Sequence, residues 1–136
     1  MNLGGNHLRR FEIFAKKLLQ MFPDASISRT RDCIQIDHMG DRGVVILLTP
    51  EAVEVRLPTT DWTQGSHGPV ASSCLRKRHS FSEDSESDMI ASIGEAVIER
   101  QAQFKVCPYC QNEFPTEHMA EGACHGCAEK QLGIVF

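Results

Sequence analysis

Two Cys-x-x-Cys pairs, Cys107-Pro108-Tyr109-Cys110 and Cys124-His125-Gly126-Cys127, stand thirteen residues apart near the end of a 136-residue chain. A CxxC turn brings two thiolates to one side of the backbone. Two such turns supply the four soft donors of a tetrahedral Zn²⁺ site. The spacer is slightly shorter than the range commonest for four-cysteine sites, yet it closes a loop round one ion. Two disulfides, or redox-active CxxC pairs, use the same residues. Met1 to His7 is polar and Gly-rich with no apolar signal segment. The expected compartment is therefore the cytoplasm, where paired cysteines mean metal more often than disulfide. Cys107, Cys110, Cys124 and Cys127 are thus expected to hold one structural zinc ion, whose thiolate shell leaves no open position for water. Zinc also accounts for how residues 105–136 fold when Tyr109, Phe114 and Met119 alone make a poor core.

The thirteen-residue spacing resembles that of the first finger of nuclear receptors and is similar to other four-cysteine modules of treble-clef or zinc-ribbon type. The resemblance covers the last thirty residues or so, and no family resemblance extends to the rest. It implies that the second cysteine pair opens a helix, here from Cys124 to Leu132, with Gly133 ending it. That helix carries Ala128, Glu129, Lys130 and Gln131, not a basic reading face. A CxxC pair also opens some HNH nucleases, but the Asp-His and Asn-His framework of those enzymes is missing after Cys110. His118 and His125 flank four cysteines that already complete a zinc shell, which makes them surface or supporting groups.

Other residue types that could do chemistry lie in 61–74. A Cys74–His67–Asp61 set can be drawn on paper for an enzyme, although no nucleophile signature surrounds Cys74. A Gly-rich loop anchored by Trp62 is the plainer account. Cys33 reads as a small strand residue, unpaired like Cys74, and His38 as the edge of a core. The basic residues Arg9 and Arg10, with Lys16 and Lys17 nearby, and the run Arg76-Lys77-Arg78 are the one concentration suited to phosphate. On a strand, Arg76 and Arg78 are expected on one face and Lys77 on the other. Such a run also guards a strand edge against unwanted pairing.

These groups must be positioned by elements legible in the hydrophobic pattern. Leu8, Phe11, Ala15, Leu18 and Phe22 form a stripe at helical period, predicting a helix over 7–22 capped by Asn6 and stopped by Pro23. Strand alternation follows at Ile34, Ile36 and His38, then at Val53, Val55 and Leu57. Between them Val44 to Leu48 is apolar on both faces, as in a central strand. Gly40 to Gly43 and Thr49 to Ala52 are turns. Ile27 begins a further short strand, and Ser72 to Phe81 is a candidate for another. A helix over 88–104, capped by Ser85 or Ser87, places Ile90, Ile93, Val97 and Phe104 on one face.

The fold class is therefore α+β: helix, antiparallel meander of three to four strands, long loop, helix, then a small C-terminal zinc module. Residues 1–104 form the main domain, with loop and linker over 58–87, and 105–136 form the module. Helix, three strands, helix is also the order of double-stranded-RNA-binding domains. Here about thirty residues precede the second helix, whose start is acidic, so that function is not carried over. Charge is uneven: residues 1–79 carry eleven Lys and Arg against eight Asp and Glu, and 80–136 carry three against ten. The expected function is a non-catalytic interaction module whose finger braces the protein or binds a protein partner. The alternatives are nucleic-acid binding through Arg9, Arg10, Arg76, Lys77 and Arg78, and an enzyme built on 61–74. The longest apolar run, Val44 to Leu48, is too short to span a membrane.

Overall fold

The structure is a computed structural model that describes residues 9–61 and 70–133. The α+β order holds. Helix α1 (Arg10–Met21) is followed by five strands, β1 (Ser26–Arg29), β2 (Ile34–His38), β3 (Val44–Leu48), β4 (Ala52–Asp61) and β5 (Val70–Ser80). Helix α2 (Glu86–Ala102) leads into the cysteine-rich end. The strands form one antiparallel sheet in chain order, β1-β2-β3-β4-β5, so the apolar β3 is its middle strand. The meander thus has five strands instead of three to four. The segment expected as loop from Pro58 is strand as far as Asp61 and again from Val70, because β4 and β5 pair along a long hairpin.

Both helices pack on one face of the sheet. Phe11, Phe14, Ala15 and Leu18 of α1 are buried with Ile34, Ile36, Val44, Ile46, Leu48, Val53 and Val55, and Met89, Ile93 and Ala96 of α2 complete the same core. The strand residues alternate as the pattern requires: β3 buries Val44, Ile46 and Leu48 under the helices and leaves Val45 and Leu47 half-buried on the other side. His38 stacks on Phe22 at 4.0 Å, at the core edge.

Several boundaries differ from expectation for identifiable reasons. Arg9 is extended, with φ −66° and ψ 152°, so α1 starts at Arg10 and its cap is Arg9, not Asn6. Glu12 folds back to accept the Arg9 N–H at 3.3 Å, which serves one of the orphan donors of the helix start. Helix α2 begins earlier, because the Ser85 hydroxyl accepts the Asp88 N–H at 3.1 Å. It also ends earlier, so Phe104 opens strand β6 (Phe104–Val106) instead of closing a helical stripe. In β5 a bulge beside Val55 and Arg56 breaks the alternation. Arg76 therefore turns to α2, 2.7 Å from Glu99 and 3.6 Å from Glu95, while Arg78 stands opposite Glu54. The two arginines do not share a face.

The turn between β2 and β3 tolerates little variation. A Cβ on Gly43 would lie 1.9 Å from the His38 carbonyl oxygen, a backbone atom that cannot swing aside. Gly43→Ala is therefore expected to force the Gly40–Arg42 turn open and cost at least about 1–3 kcal/mol, the scale of locally stored backbone strain. Chemical denaturation of the wild type and the variant measures it. Equal midpoints would show that the turn relaxes freely.

Candidate metal centre and its docking

The cysteine-rich end is built from two small hairpins and a helix. Strand β6 pairs with β7 (Glu113–Pro115), β8 (Met119–Ala120) pairs with β9 (Ala123–Cys124), and α3 spans His125–Leu132. The first CxxC lies in the β6–β7 connection. Here the Cys107 N–H donates to Asn112 O at 2.8 Å, and Gln111, at φ 65°, returns its N–H to Cys107 O at 2.8 Å. The second pair follows a tight turn in which Glu121 and Gly122 both have positive φ, at 54° and 80°. Cys124 ends β9 and caps α3, its sulfur accepting the Cys127 N–H at 3.4 Å. Helix α3 stops at Gly133, which adopts the left-handed conformation at φ 71°.

These turns bring the four sulfurs together. Cys107, Cys110, Cys124 and Cys127 place their Sγ atoms within 4.8 Å of one another, and Cys110 and Cys124 are 3.9 Å apart. A tetrahedral ion with metal–sulfur bonds of about 2.3 Å needs sulfurs about 3.8 Å apart, so the four cysteines can hold one metal ion. The electrostatics agree. Burial opposes ionisation of Cys107, but N–H groups of Cys124, Cys110 and Tyr109 bring its thiol down to about 6. Hydrogen bonding with Cys124, then burial, pushes Cys127 up to about 12. The Cys107 thiol is thus lowered and the Cys127 thiol raised, as expected where crowded thiols interact at one site. Around them the buried core is Cys107, Ala123, Cys124 and Ala128, with Phe114 and Met119 only partly covered.

What fixes this unit to the sheet is Arg100, which the sequence reading did not single out. Its side chain is 1% exposed. Nε donates to Asp41 O at 2.7 Å, Nη1 to Gln103 Oε1 at 2.8 Å and Glu117 Oε1 at 3.0 Å, and Nη2 to Asp41 Oδ1 at 3.0 Å and Glu117 Oε2 at 2.7 Å. All five guanidinium donors are used, with a bidentate grip on Glu117. Arg42 strengthens the joint, pairing with Glu113 at 2.7 Å and lying 4.2 Å over the Phe104 ring. Thr60 meets His118 across 2.7 Å, and the His118 and His125 rings lie nearly parallel at 6.3 Å. A signal for Arg100 was present: Met89, Ile93 and Ala96 mark the buried stripe of α2, and position 100 continues it.

The other expected residues are dispersed. Arg9 pairs with Asp32 at 3.0 Å, Arg10 donates to Phe81 O and covers its ring, and Lys17 pairs with Glu86 at 2.7 Å. Cys33 is half-buried and Cys74 exposed, both unpaired. Cys74 borders a cleft of about 350 Å³ with Leu57, Thr59, Gln103, Thr116 and Glu117. His67 and Trp62 lie outside the described residues, as does the Asp61 side chain, so the structure does not assemble the 61–74 set. A Ser–His–Asp grouping does occur elsewhere, with His79 Nε2 2.8 Å from Ser92 Oγ and Nδ1 3.7 Å from Asp84. Ser92 is buried against the sheet, and the bond ties α2 to β5. No described helix is long and apolar enough to cross a membrane. No family model, curated protein or solved structure matches the chain.

Arg100→Met leaves two carboxylates facing an apolar gap. Its expected cost is about 3 kcal/mol, the low end for a broken buried pair, because Asp41 is itself half exposed. The joint is also acid-sensitive. Burial raises the Glu117 carboxyl, yet Arg100 outweighs it and holds the group below the ordinary glutamate range. A depressed carboxylate contributes stability fully present above its unfolded pKa of about 4.3 and lost as pH falls through its folded value. Unfolding midpoints measured from neutral pH into acid should fall for wild type. In Glu117→Gln that component should be flat, and parallel curves would contradict the assignment.

Proposed function

We propose that Cys107, Cys110, Cys124 and Cys127 bind one structural Zn²⁺, that residues 105–136 are a treble-clef-like module docked on an α+β domain of residues 1–104, and that the protein is a non-catalytic, cytoplasmic interaction module. The observation that carries this reading is the convergence of four cysteine sulfurs in a core that otherwise holds little more than alanine. Four soft donors in a tetrahedral arrangement select zinc among the abundant divalent ions, and a filled sulfur shell serves folding instead of catalysis. The second cysteine pair at a helix start is what the treble-clef resemblance implies.

Two features support a protein partner over nucleic acid. Val106, Tyr109 and Leu132, on the module, are 52%, 49% and 40% exposed, and large apolar or aromatic surface groups suit protein contacts. The basic residues that would meet phosphate are mostly engaged within the molecule: Arg9, Arg10, Lys17 and Arg76 each have partners, and Arg78 stands opposite Glu54. Useful affinity for nucleic acid at physiological salt takes several more contacts than Lys16 and Lys77 supply.

Protein purified without added metal should contain about one zinc per chain by elemental analysis. A folded protein with four free thiols and no metal would sink the reading. Cys124→Ser should release residues 105–133 to proteolysis first, while the separate apolar core of α1, α2 and the sheet still unfolds cooperatively. Steep, salt-sensitive retention on DNA would favour the nucleic-acid alternative instead.

A further inference from the structure

The two edges of the sheet are built differently. Strand β1 is four residues long and fully exposed, with Ser26, Ser28 and Arg29 among the four. Short, polar edges of this kind resist pairing with another chain. Strand β5 is eleven residues long, and within the described sheet only β4 pairs with it. An edge of that length presents a row of backbone N–H and C=O groups to any strand that fits. Its protective devices sit at one end, where the bulge at Arg76 is followed by Lys77 and Arg78. Val70 to Leu75 has no charge, no proline and an unbroken register with β4. Cys74 is exposed and Leu75 is 52% exposed. On the flank of α2 that reaches toward the same edge, Glu95 and Glu99 meet Arg76, and Ile98 beside them is 72% exposed.

We propose that the chain forms a two-fold dimer in which Ala71 to Leu75 pairs antiparallel with the same segment of a second copy, extending the five-stranded sheet to ten. The charge pattern selects this occupant. With the two-fold axis near Ser73, Ala71 faces the second copy's Leu75. The two Arg76-Lys77-Arg78 runs then lie at opposite ends of the shared ladder. Sliding the axis to Lys77 would set Lys77 against Lys77 and draw the bulge at Arg76 into the shared ladder; like charges directly opposed across a ladder are destabilising, and a bulge disrupts it. An unrelated acidic strand would need to align with the basic run, where the bulge bends β5 out of a flat ladder. The basic run thus leaves open the self-complementary registers centred within Val70 to Leu75, the isologous contact that two-fold symmetry requires. This inference does not depend on the metal.

Sedimentation equilibrium of the full, metal-loaded chain from about 1 to about 200 µM reads the assembly directly. The expected mass is twice the 15.2 kDa of the chain. Cys74→Lys and Leu75→Lys should each weaken association at least about tenfold, and Ile27→Lys on the β1 edge should leave it unchanged. Circular dichroism and cooperative unfolding establish that the variants fold. In a Cys33→Ser background, a short bismaleimide should join Cys74 to Cys74 between copies, a readout that needs no edge substitution. A native chain that stays monomeric throughout overturns the proposal. So does a dimer that survives both folded lysine variants, which places the interface elsewhere. A monomer whose Ala71 to Leu75 amides resist hydrogen exchange would show that the chain's own segments cover the edge, and overturns it equally.

Discussion

A guanidinium cannot shed its charge to enter a protein interior, so a buried arginine has to be met by the structure around it. Arg100 is met at all five donors, and the groups that meet it come from the Gly40–Arg42 turn, the end of α2 and the turn at Thr116–His118. None of these segments can move alone without leaving a donor or a carboxylate unpaired. Buried ion pairs return little net stability against apolar packing, since desolvation consumes most of the attraction. What they do well is penalise every arrangement but one. Here the penalised quantity is the position of the cysteine-rich unit on the sheet. A planar fork holding a carboxylate by two bonds defines orientation as well as distance.

The docking carboxylate and the metal ligands share one short piece of chain. Glu117 lies in the spacer between Cys110 and Cys124, so closing the sulfur site also determines where Glu117 stands. On the proposed reading the ion and the arginine therefore act in series. The ion orders a segment that lacks the apolar mass to order itself, and Arg100 seizes the ordered segment by one of its side chains. Gly43 belongs to the same chain of dependence from the other direction, because its close approach to His38 shapes the turn that presents Asp41.

Much of this was readable from the sequence where a local rule applies. The period of α1, the alternation in β2 and β4, the two-sided apolar run of β3 and the cysteine spacing each report a near-neighbour constraint. What stayed hidden was non-local. The strand character of 58–61, and the pairing of 70–80 along it, come from a long hairpin, and Pro58 is a weak strand former by itself. The bulge that turns Arg76 toward α2 leaves no mark in composition. Arg100 sat on the buried stripe of an amphipathic helix and resembled an ordinary solvated charge, because its partners lie 59 and 17 residues away in the chain.

The uneven charge of the chain acquires a structural meaning once the contacts are known. The first 79 residues are net basic and the remainder net acidic, and several ion pairs cross that divide: Lys17 with Glu86, Arg42 with Glu113, Arg76 with Glu95 and Glu99. Exposed pairs such as these contribute little to stability individually. Collectively they join the basic first part to the acidic remainder, where α2 and the cysteine-rich unit meet α1, the sheet and its turns. Lys77 stands outside these pairs, beside the long edge of the sheet. On the proposed dimer, an uncompensated charge at that place limits which strands can pair with the edge.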